Sequence, residues 1–502
     1  MRLSATARLC AAVAACAAVA YLGALWNRFA WDDVPIVYYN PLLLHWSGVW
    51  RAFVSPYWPA QMGGGLYRPL TIATYALDVR SGGGAVWLHA MNLLWHAGVS
   101  VAVALLALRL GGGRAAWVAG LLFAVHPVHV EAVANIVGRA ELMATLFTAL
   151  AVYAALVCDA PWWSLAALAC ALLSKENAVV GPGLIAWGWV VGLKRLPARR
   201  YLTYALAWLG LGVAYAAVRW EVLHPFARIT SLAAVFVGAS AVDIRLTAVA
   251  AFADIARLLV FPLTLRVDYS PAERTLVTSA LDPRFLLGLG CAAAWCGLAL
   301  LAWRRGRKLE AFGLGWTVIA LAPVANLLFP IGVLVAERTL YLPSAGLVLT
   351  LGALGPERFP RRWPALLVGL VVLGGVRTAL RAPVWRDDHA VIMSEFEDSP
   401  HSFDGPARMV SVYLTAHQPA KAVEAFRVAQ AIYDRLPWLF MWGADAGFVA
   451  HDPALADSCL ARLETLCREC DYYYRFEAGV AQSRGDSAAA DSLLAHLPVA
   501  SD

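Results

Sequence analysis

A chain of 502 residues with 61% hydrophobic and only 15% charged side chains falls well short of the ~25% charge of a soluble domain. With a mean hydropathy of +0.63, that excludes a water-soluble globular protein and reads as a polytopic membrane protein. The net charge of +6 sits in short basic clusters between apolar runs and gives no nucleic-acid signal, while 21 Trp residues suit two interfacial aromatic belts.

The N-terminus places Arg2 and Arg8 before an Ala-rich apolar run near 9–26. This resembles a signal peptide, but the run is long and a functional-looking loop follows at once, which favours an uncleaved first span. The loop opens with Trp31-Asp32-Asp33. Two adjacent carboxylates at a membrane surface repel each other. They are easiest to understand if they bind a cation or take a proton from a substrate; a solvated acidic loop is the plain alternative. The loop ends at Tyr67-Arg68-Pro69-Leu70, and Arg68 lies on the same side as a candidate ion-pair partner of the aspartates.

Further apolar spans lie near 87–108, 115–131, 141–157, 162–174, 177–193, 201–218, 284–303, 309–330, 340–355 and 363–380. Basic clusters fall at Arg109/Arg114, at Lys194 to Arg200, at Arg304 to Lys308 and at Arg358 to Arg362. With residue 1 cytoplasmic, all four come out cytoplasmic, as the positive-inside rule requires. The Asp32–Asp33 loop and everything after residue 380 then lie outside. The segment 231–262 is apolar but carries Asp243, Arg245, Asp254 and Arg257. It reads as a two-span hairpin or as an interfacial or re-entrant segment, with Asp254 and Arg257 on one helix face.

Polar groups near membrane depth mark the remaining candidates. His89, Asn92 and His96 share one helix face. His126-Pro127-Val128-His129-Val130-Glu131 offers metal-ligand types, with hydrogen-bonded interface residues as the competing reading; Asn135, Arg139 and Glu141 follow. Ser174-Lys175-Glu176-Asn177 is either a local ion pair or a place where Lys175 meets an anion. Glu337-Arg338-Thr339-Leu340-Tyr341 lies outside, where Arg338 suits a phosphate by its paired donors or else pairs with Glu337.

From about Trp385 the long apolar runs stop and helical periodicity takes over. Ala420, Ala454 and Ala488 stand 34 residues apart (454−420 and 488−454), the period of tetratricopeptide helix pairs, where a small residue lets helices approach. Such arrays offer concave, peptide-binding faces; an unrelated helical bundle is the alternative. Cys459, Cys467 and Cys470 allow a 467/470 or a 459/467 disulfide, or serve as helical core residues. The expected organisation is a transmembrane domain over 1–382 and an extracytoplasmic helical-repeat domain over 383–502.

Asp32–Asp33, Tyr67-Arg68-Pro69-Leu70, His89/Asn92/His96 and His126-Pro127-Val128-His129-Val130-Glu131 occur in an order that resembles one family. So do Gly138-Arg139-Ala140-Glu141, Ser174-Lys175-Glu176-Asn177, Val267-Asp268-Tyr269-Ser270 and Ala336-Glu337-Arg338-Thr339-Leu340-Tyr341-Leu342-Pro343-Ser344. It is that of the transmembrane and tetratricopeptide repeat-containing O-mannosyltransferases, over about residues 20–380; the tail agrees in kind but is far shorter than eukaryotic arrays.

The resemblance implies an all-α GT-C-like membrane fold of ~11–13 transmembrane helices followed by a small repeat domain. It also implies transfer of a sugar, mannose by inheritance, from a polyprenyl-phosphate carrier to a hydroxyl of an exported protein or glycan, with inversion. Asp32 or Asp33 would deprotonate or orient the acceptor, with Mg²⁺ or Mn²⁺ as an optional partner of the pair. Arg338, Lys175 and Arg139 would hold the lipid phosphate. Glu131, His126 and His129 would shape the sugar or acceptor end. Arg68 would position the acidic loop, and His89, Glu176 and Tyr341 complete the expected substrate-binding set. Residue usage suggests a bacterial inner-membrane protein with its site in the periplasm; a eukaryotic source would put it in the endoplasmic reticulum. A non-catalytic scaffold presenting repeats, and a lipid-linked glycan ligase or transporter, are the competing functions.

Overall fold

The computed structural model describes residues 4–59, 64–226, 232–269, 271–358, 362–467, 471–483 and 485–496. Among them every regular element is helical. The first helix, Ala5–Ala20, starts where the Ser4 hydroxyl accepts the Ala7 amide at 3.1 Å. It buries Leu9, Val13, Ala17 and Ala20 at spacings of four, four and three, one stripe along the helix. The continuous helical stretch Ala85–Ala124 is broken at Gly112, whose φ of 84° no other residue adopts cheaply. The chain reverses there, between Arg109 and Arg114. Its two arms pack so tightly that a Cβ on Gly120 would stand 2.7 Å from Ala104 and 2.9 Å from Val13. Small residues thus let three helices meet.

Among the described residues, five stretches are long and apolar enough to cross a membrane: Ala85–Ala124, Ile136–Cys158, Ala198–Leu223, Pro283–Arg304 and Trp363–Trp385. Ala5–Ala20 and Pro161–Ser174 are shorter apolar helices. Leu202, Leu206, Leu209 and Val213 all stand exposed on Ala198–Leu223, an apolar surface that makes sense only against lipid. Two spans end earlier than their apolar runs. The second hairpin arm stops at Ala124, before His126-Pro127, and the run near 309–330 is helical only over Lys308–Leu321. Proline explains the first stop.

The ambiguous segment resolves into two short helices, Ala241–Ala250 and Phe252–Val260, of 10 and 9 residues. At ~1.5 Å per residue neither crosses a bilayer, so the two-span hairpin is excluded. The pair packs on Pro283–Arg304, where a Cβ on Gly288 would lie 2.0 Å from the Val249 carbonyl. Asp254 and Arg257 do share a face, at 3.8 Å, and Arg274 joins Asp254 at 2.7 Å.

The tail is a stack of helix pairs. Second helices begin at Pro419, Pro453 and Ser487, 34 residues apart, and Pro437 and Asp471 open first helices at the same interval. The turn inside each pair uses a left-handed residue at one repeat position: His417 and His451, both at φ 55°, and Gly485 at φ 82°. The close-packing small residues are not those expected. Ala420, Ala454 and Ala488 are exposed; two positions on, Ala422 and Ala456 are fully buried and Ala490 is 4% exposed. The period was readable, but the phase depends on which face the helix turns inward. Cys467 is disulfide-bonded, whereas Cys459 is a free, buried thiol, which overturns the 459/467 pairing; Cys470 and Ser270 lie outside the described residues. Ala382, Trp385 and Val391 belong to the main core, so the start of the tail is packed into the membrane part. The Asn27 amide also donates to the Ala382 carbonyl at 3.1 Å and the Arg28 amide to Arg386 at 2.7 Å.

Candidate active site around the acidic loop

The two aspartates have different surroundings. Asp33 is fully buried. Its Oδ1 accepts the Val137 amide at 2.8 Å, and its Oδ2 accepts Ala30 at 3.2 Å and Ile136 at 3.3 Å. Burial pushes its carboxyl up to about 8, against the pull of those three amides. Its side chain therefore clamps the acidic loop to the turn ahead of Arg139. Asp32 is only half-buried, and no side chain among the described residues bonds it. It lies in the field of Arg338 and Arg408. An Mg²⁺ or Mn²⁺ held between the pair does not fit, because both Asp33 oxygens already face N–H donors. Among the described residues no group of three or more His, Cys, Asp or Glu is placed to hold a metal.

Each expected cation has a carboxylate partner. Arg68 meets Glu176 through two parallel bonds, Nε at 2.9 Å and Nη2 at 2.6 Å, so its partner is not the acidic pair. Burial pushes Glu176 up, but the Arg68 guanidinium outweighs it and holds the carboxyl down at about 2. Lys175 is ion-paired with Glu141, which also accepts Asn177 at 3.0 Å. Arg139 is wholly enclosed. It pairs with Asp78, donates to Asn92 at 3.0 Å and to the Leu88 carbonyl at 3.1 Å, and lies over the Tyr75 ring. No surface of it remains for a phosphate.

Arg338 differs. Its backbone amide and Nη1 both reach Glu131, at 2.8 and 2.6 Å, yet its side chain is 30% exposed. Its Nε and Nη2 make no hydrogen bond among the described residues, and the guanidinium lies in the field of Asp32. The alternative pairing with Glu337 is overturned. Glu337 instead accepts the Arg266 amide at 2.6 Å and the Tyr269 hydroxyl at 2.9 Å, and burial pushes it up to about 8.

The histidines act as staples. His89 donates to the Arg28 carbonyl at 3.0 Å and His126 to the Leu259 carbonyl at 2.9 Å. His96 donates to the Ala124 carbonyl at 3.1 Å, leaving Nδ1 to accept the Tyr341 hydroxyl at 2.7 Å. His129 bonds the Ser344 hydroxyl at 2.7 Å. All four rings and Tyr341 are buried. They tie helix ends together around the site and do not line it.

What sequence reasoning missed is the tail's contact with the acidic loop. The Trp31 amide donates to Asp388 at 2.6 Å, and the Arg408 guanidinium sits 4.1 Å above the Trp31 ring while bonding Asp404 at 2.7 Å. Between loop and tail lies a cavity of about 750 Å³, walled by Pro35 and Tyr39 on one side and by Ile392, Val412 and Trp442 on the other. Partners more than 350 residues apart in sequence leave no signal in a single chain.

No protein-family model matches the chain. It is similar to curated protein O-mannosyl-transferases. To TMTC4 of Homo sapiens it is 28% identical, over 74% of this chain and 59% of the relative. To TMTC3 of Homo sapiens it is 27% identical, over 74% and 46%; to TMTC2 of Homo sapiens, 25%, over 83% and 61%. The chain thus spans about half to three-fifths of the length of these relatives. Among solved structures, an oligosaccharyltransferase of Archaeoglobus fulgidus with a tethered acceptor peptide aligns over 97% of this chain and 72% of its own. Its TM-score is 0.42 and its identity 12%, a likeness too low to argue from.

Proposed function

We propose that this protein is a GT-C-like membrane glycosyltransferase. It moves a sugar, mannose by similarity to its relatives, from a polyprenyl-phosphate carrier to a Ser or Thr hydroxyl of an exported polypeptide, on the extracytoplasmic face and with inversion. The observation that carries this reading is Asp32: a half-buried carboxylate that no side chain among the described residues bonds, in the field of an Arg338 whose side chain is 30% exposed.

In this reading Asp32 accepts the proton of the acceptor hydroxyl as its oxygen attacks the anomeric carbon. The bond from that carbon to the phosphate oxygen breaks, and the carrier phosphate leaves with an added negative charge. Arg338, held rigid by Glu131, stabilises that charge in a low-dielectric site. Asp33 fixes the loop through the 136–137 amides. The Arg68–Glu176 and Lys175–Glu141 pairs set the walls, and the charge that meets an anionic lipid is that of Arg338. Residues 1–382 form the transferase domain and 383–502 the repeat domain. The membrane is the bacterial inner membrane, or the endoplasmic reticulum in a eukaryote.

The test is purified protein in nanodiscs with radiolabelled polyprenyl-phosphate-mannose and a membrane-protein extract, beside Asp32→Asn. Label entering protein with the wild type and not the variant is expected. Equal label in both, or none from any lipid-phosphate sugar, would sink the reading in favour of a scaffold or transporter.

A further inference from the structure

The cavity between the acidic loop and the tail has no part in the chemistry just described, yet it opens beside it. Trp31 forms one wall, and the next residue is Asp32. Its volume, about 750 Å³, lies within the ~300–1,000 Å³ range of ligand sites. The walls are neutral and apolar: Val34, Pro35, Tyr39, Val412 and Trp442. Its two charged residues are already used, Asp388 by the Trp31 amide and Arg408 by Asp404 and the Trp31 ring. An ionic ligand would find no free counter-charge there. Grooves lined by Trp, Tyr and Pro suit extended, polyproline-like chain, whose stiffness lowers the cost of ordering.

We infer that this cavity binds an extended apolar segment of the acceptor polypeptide, flanking the hydroxyl residue that Asp32 receives, with Tyr39, Val412 and Trp442 as specificity-determining contacts. The inference rests on the Asp32 reading for the acceptor's reaction, though not for its binding. An extended chain advances ~3.3–3.6 Å per residue, so side chains within a few positions of a hydroxyl at Asp32 reach the Trp31 wall and the tail beyond. Acceptor choice then comes from contacts with Tyr39 on the loop and with Val412 and Trp442 on the first two helix pairs, away from the reacting atoms.

The probe is a short fluorescent peptide of Pro and Val with one central Thr, and a Gly/Ser counterpart, titrated against full-length protein in nanodiscs by anisotropy. Wild type and Asp32→Asn are expected to bind the Pro/Val peptide alike. Val412→Asp and Trp442→Ala are expected to lose on the order of tenfold in affinity, and neither protein should hold the Gly/Ser peptide comparably. In transfer assays Trp442→Ala is expected to raise the acceptor KM with kcat kept. Unchanged peptide affinity in both cavity variants, with wild-type Tm and monodispersity, overturns the inference even if Asp32→Asn abolishes transfer. Peptide binding lost in the cavity variants supports it even if no lipid-linked sugar is transferred, a result that would count against the glycosyltransferase reading alone.

Discussion

The amide of Trp31 donates to the carboxylate of Asp388 at 2.6 Å, joining the residue before Asp32 to the first helix of the tail. Trp31 sits at φ 57°, a left-handed conformation that a non-glycine residue holds at ~1–3 kcal/mol. Asp388 and the stacked Arg408 offset that strain. In the proposed reaction they would act as positioning residues for Asp32. Asp388→Ala is expected to lower kcat about tenfold toward a minimal acceptor, a blocked threonine amide too short to touch the cavity. Trp442→Ala should leave that same reaction unchanged. Equal behaviour of the two variants would refute a positioning role.

The two aspartates should separate experimentally. Asp32→Asn is expected to cut kcat by about 10²-fold or more with Tm unchanged. Asp33→Ala would strand the buried Ala30 and Ile136 amides and leave Val137 only its 3.3 Å bond to Asn135, at ~1–3 kcal/mol for a buried donor left unmade, so thermal unfolding should shift down by several degrees. A stable Asp33→Ala protein would remove the clamp assignment.

Arg338→Lys keeps a charge near Asp32 but loses the paired donors that span Glu131 and the open side. The expected result is a donor KM raised and a kcat lowered, together by about 10–100-fold in kcat/KM. Steady-state kinetics with varied lipid donor reads it directly; an unchanged donor KM and kcat would place the carrier phosphate elsewhere.

Arg139 should matter for folding and not for the donor. Arg139→Ala leaves Asp78 buried and unpaired, a loss of ~3–5 kcal/mol. Pairing it with Asp78→Leu should restore much of the Tm, with kcat/KM near wild type. Restored stability without restored activity would return Arg139 to the phosphate site.

Glu176 predicts a pH signature. Its carboxyl is held at about 2 in the folded protein against ~4.3 unfolded. A depressed carboxylate contributes stability above the unfolded value and loses it as pH falls through the folded one. The Tm gap between wild type and Glu176→Gln should be full at neutral pH, shrink below pH ~4.3 and close near pH ~2. A gap independent of pH would rule out the Arg68–Glu176 pair as its source.

Much of the fold was legible because apolar runs and basic clusters are local signals. The Arg109/Arg114 pair marked the reversal at Gly112, and the 34-residue spacing marked the tail. The acidic loop stood out in the sequence as a candidate, but the different surroundings of its two aspartates did not, since only the folded chain brings the 136–137 amides onto Asp33. Arg139 shows the general difficulty. An arginine at membrane depth advertises a partner, and the sequence does not say whether the partner is a ligand or Asp78. The alanines show a smaller version, with the interval readable and the inward face two residues away.

The repeated turns at His417, His451 and Gly485 give the tail a direction. Its first helix pair carries Arg408 and Val412 against the acidic loop, and Trp442 lies on the first helix of the second; the third pair packs against the helices of the second. If the proposed reaction runs at Asp32, change at the near end is expected to be felt in it, while the far end can be lengthened, trimmed or reshaped pair by pair at little cost to it. Evolution can alter what the tail reaches for in that outer part and leave undisturbed the corner that holds Asp32.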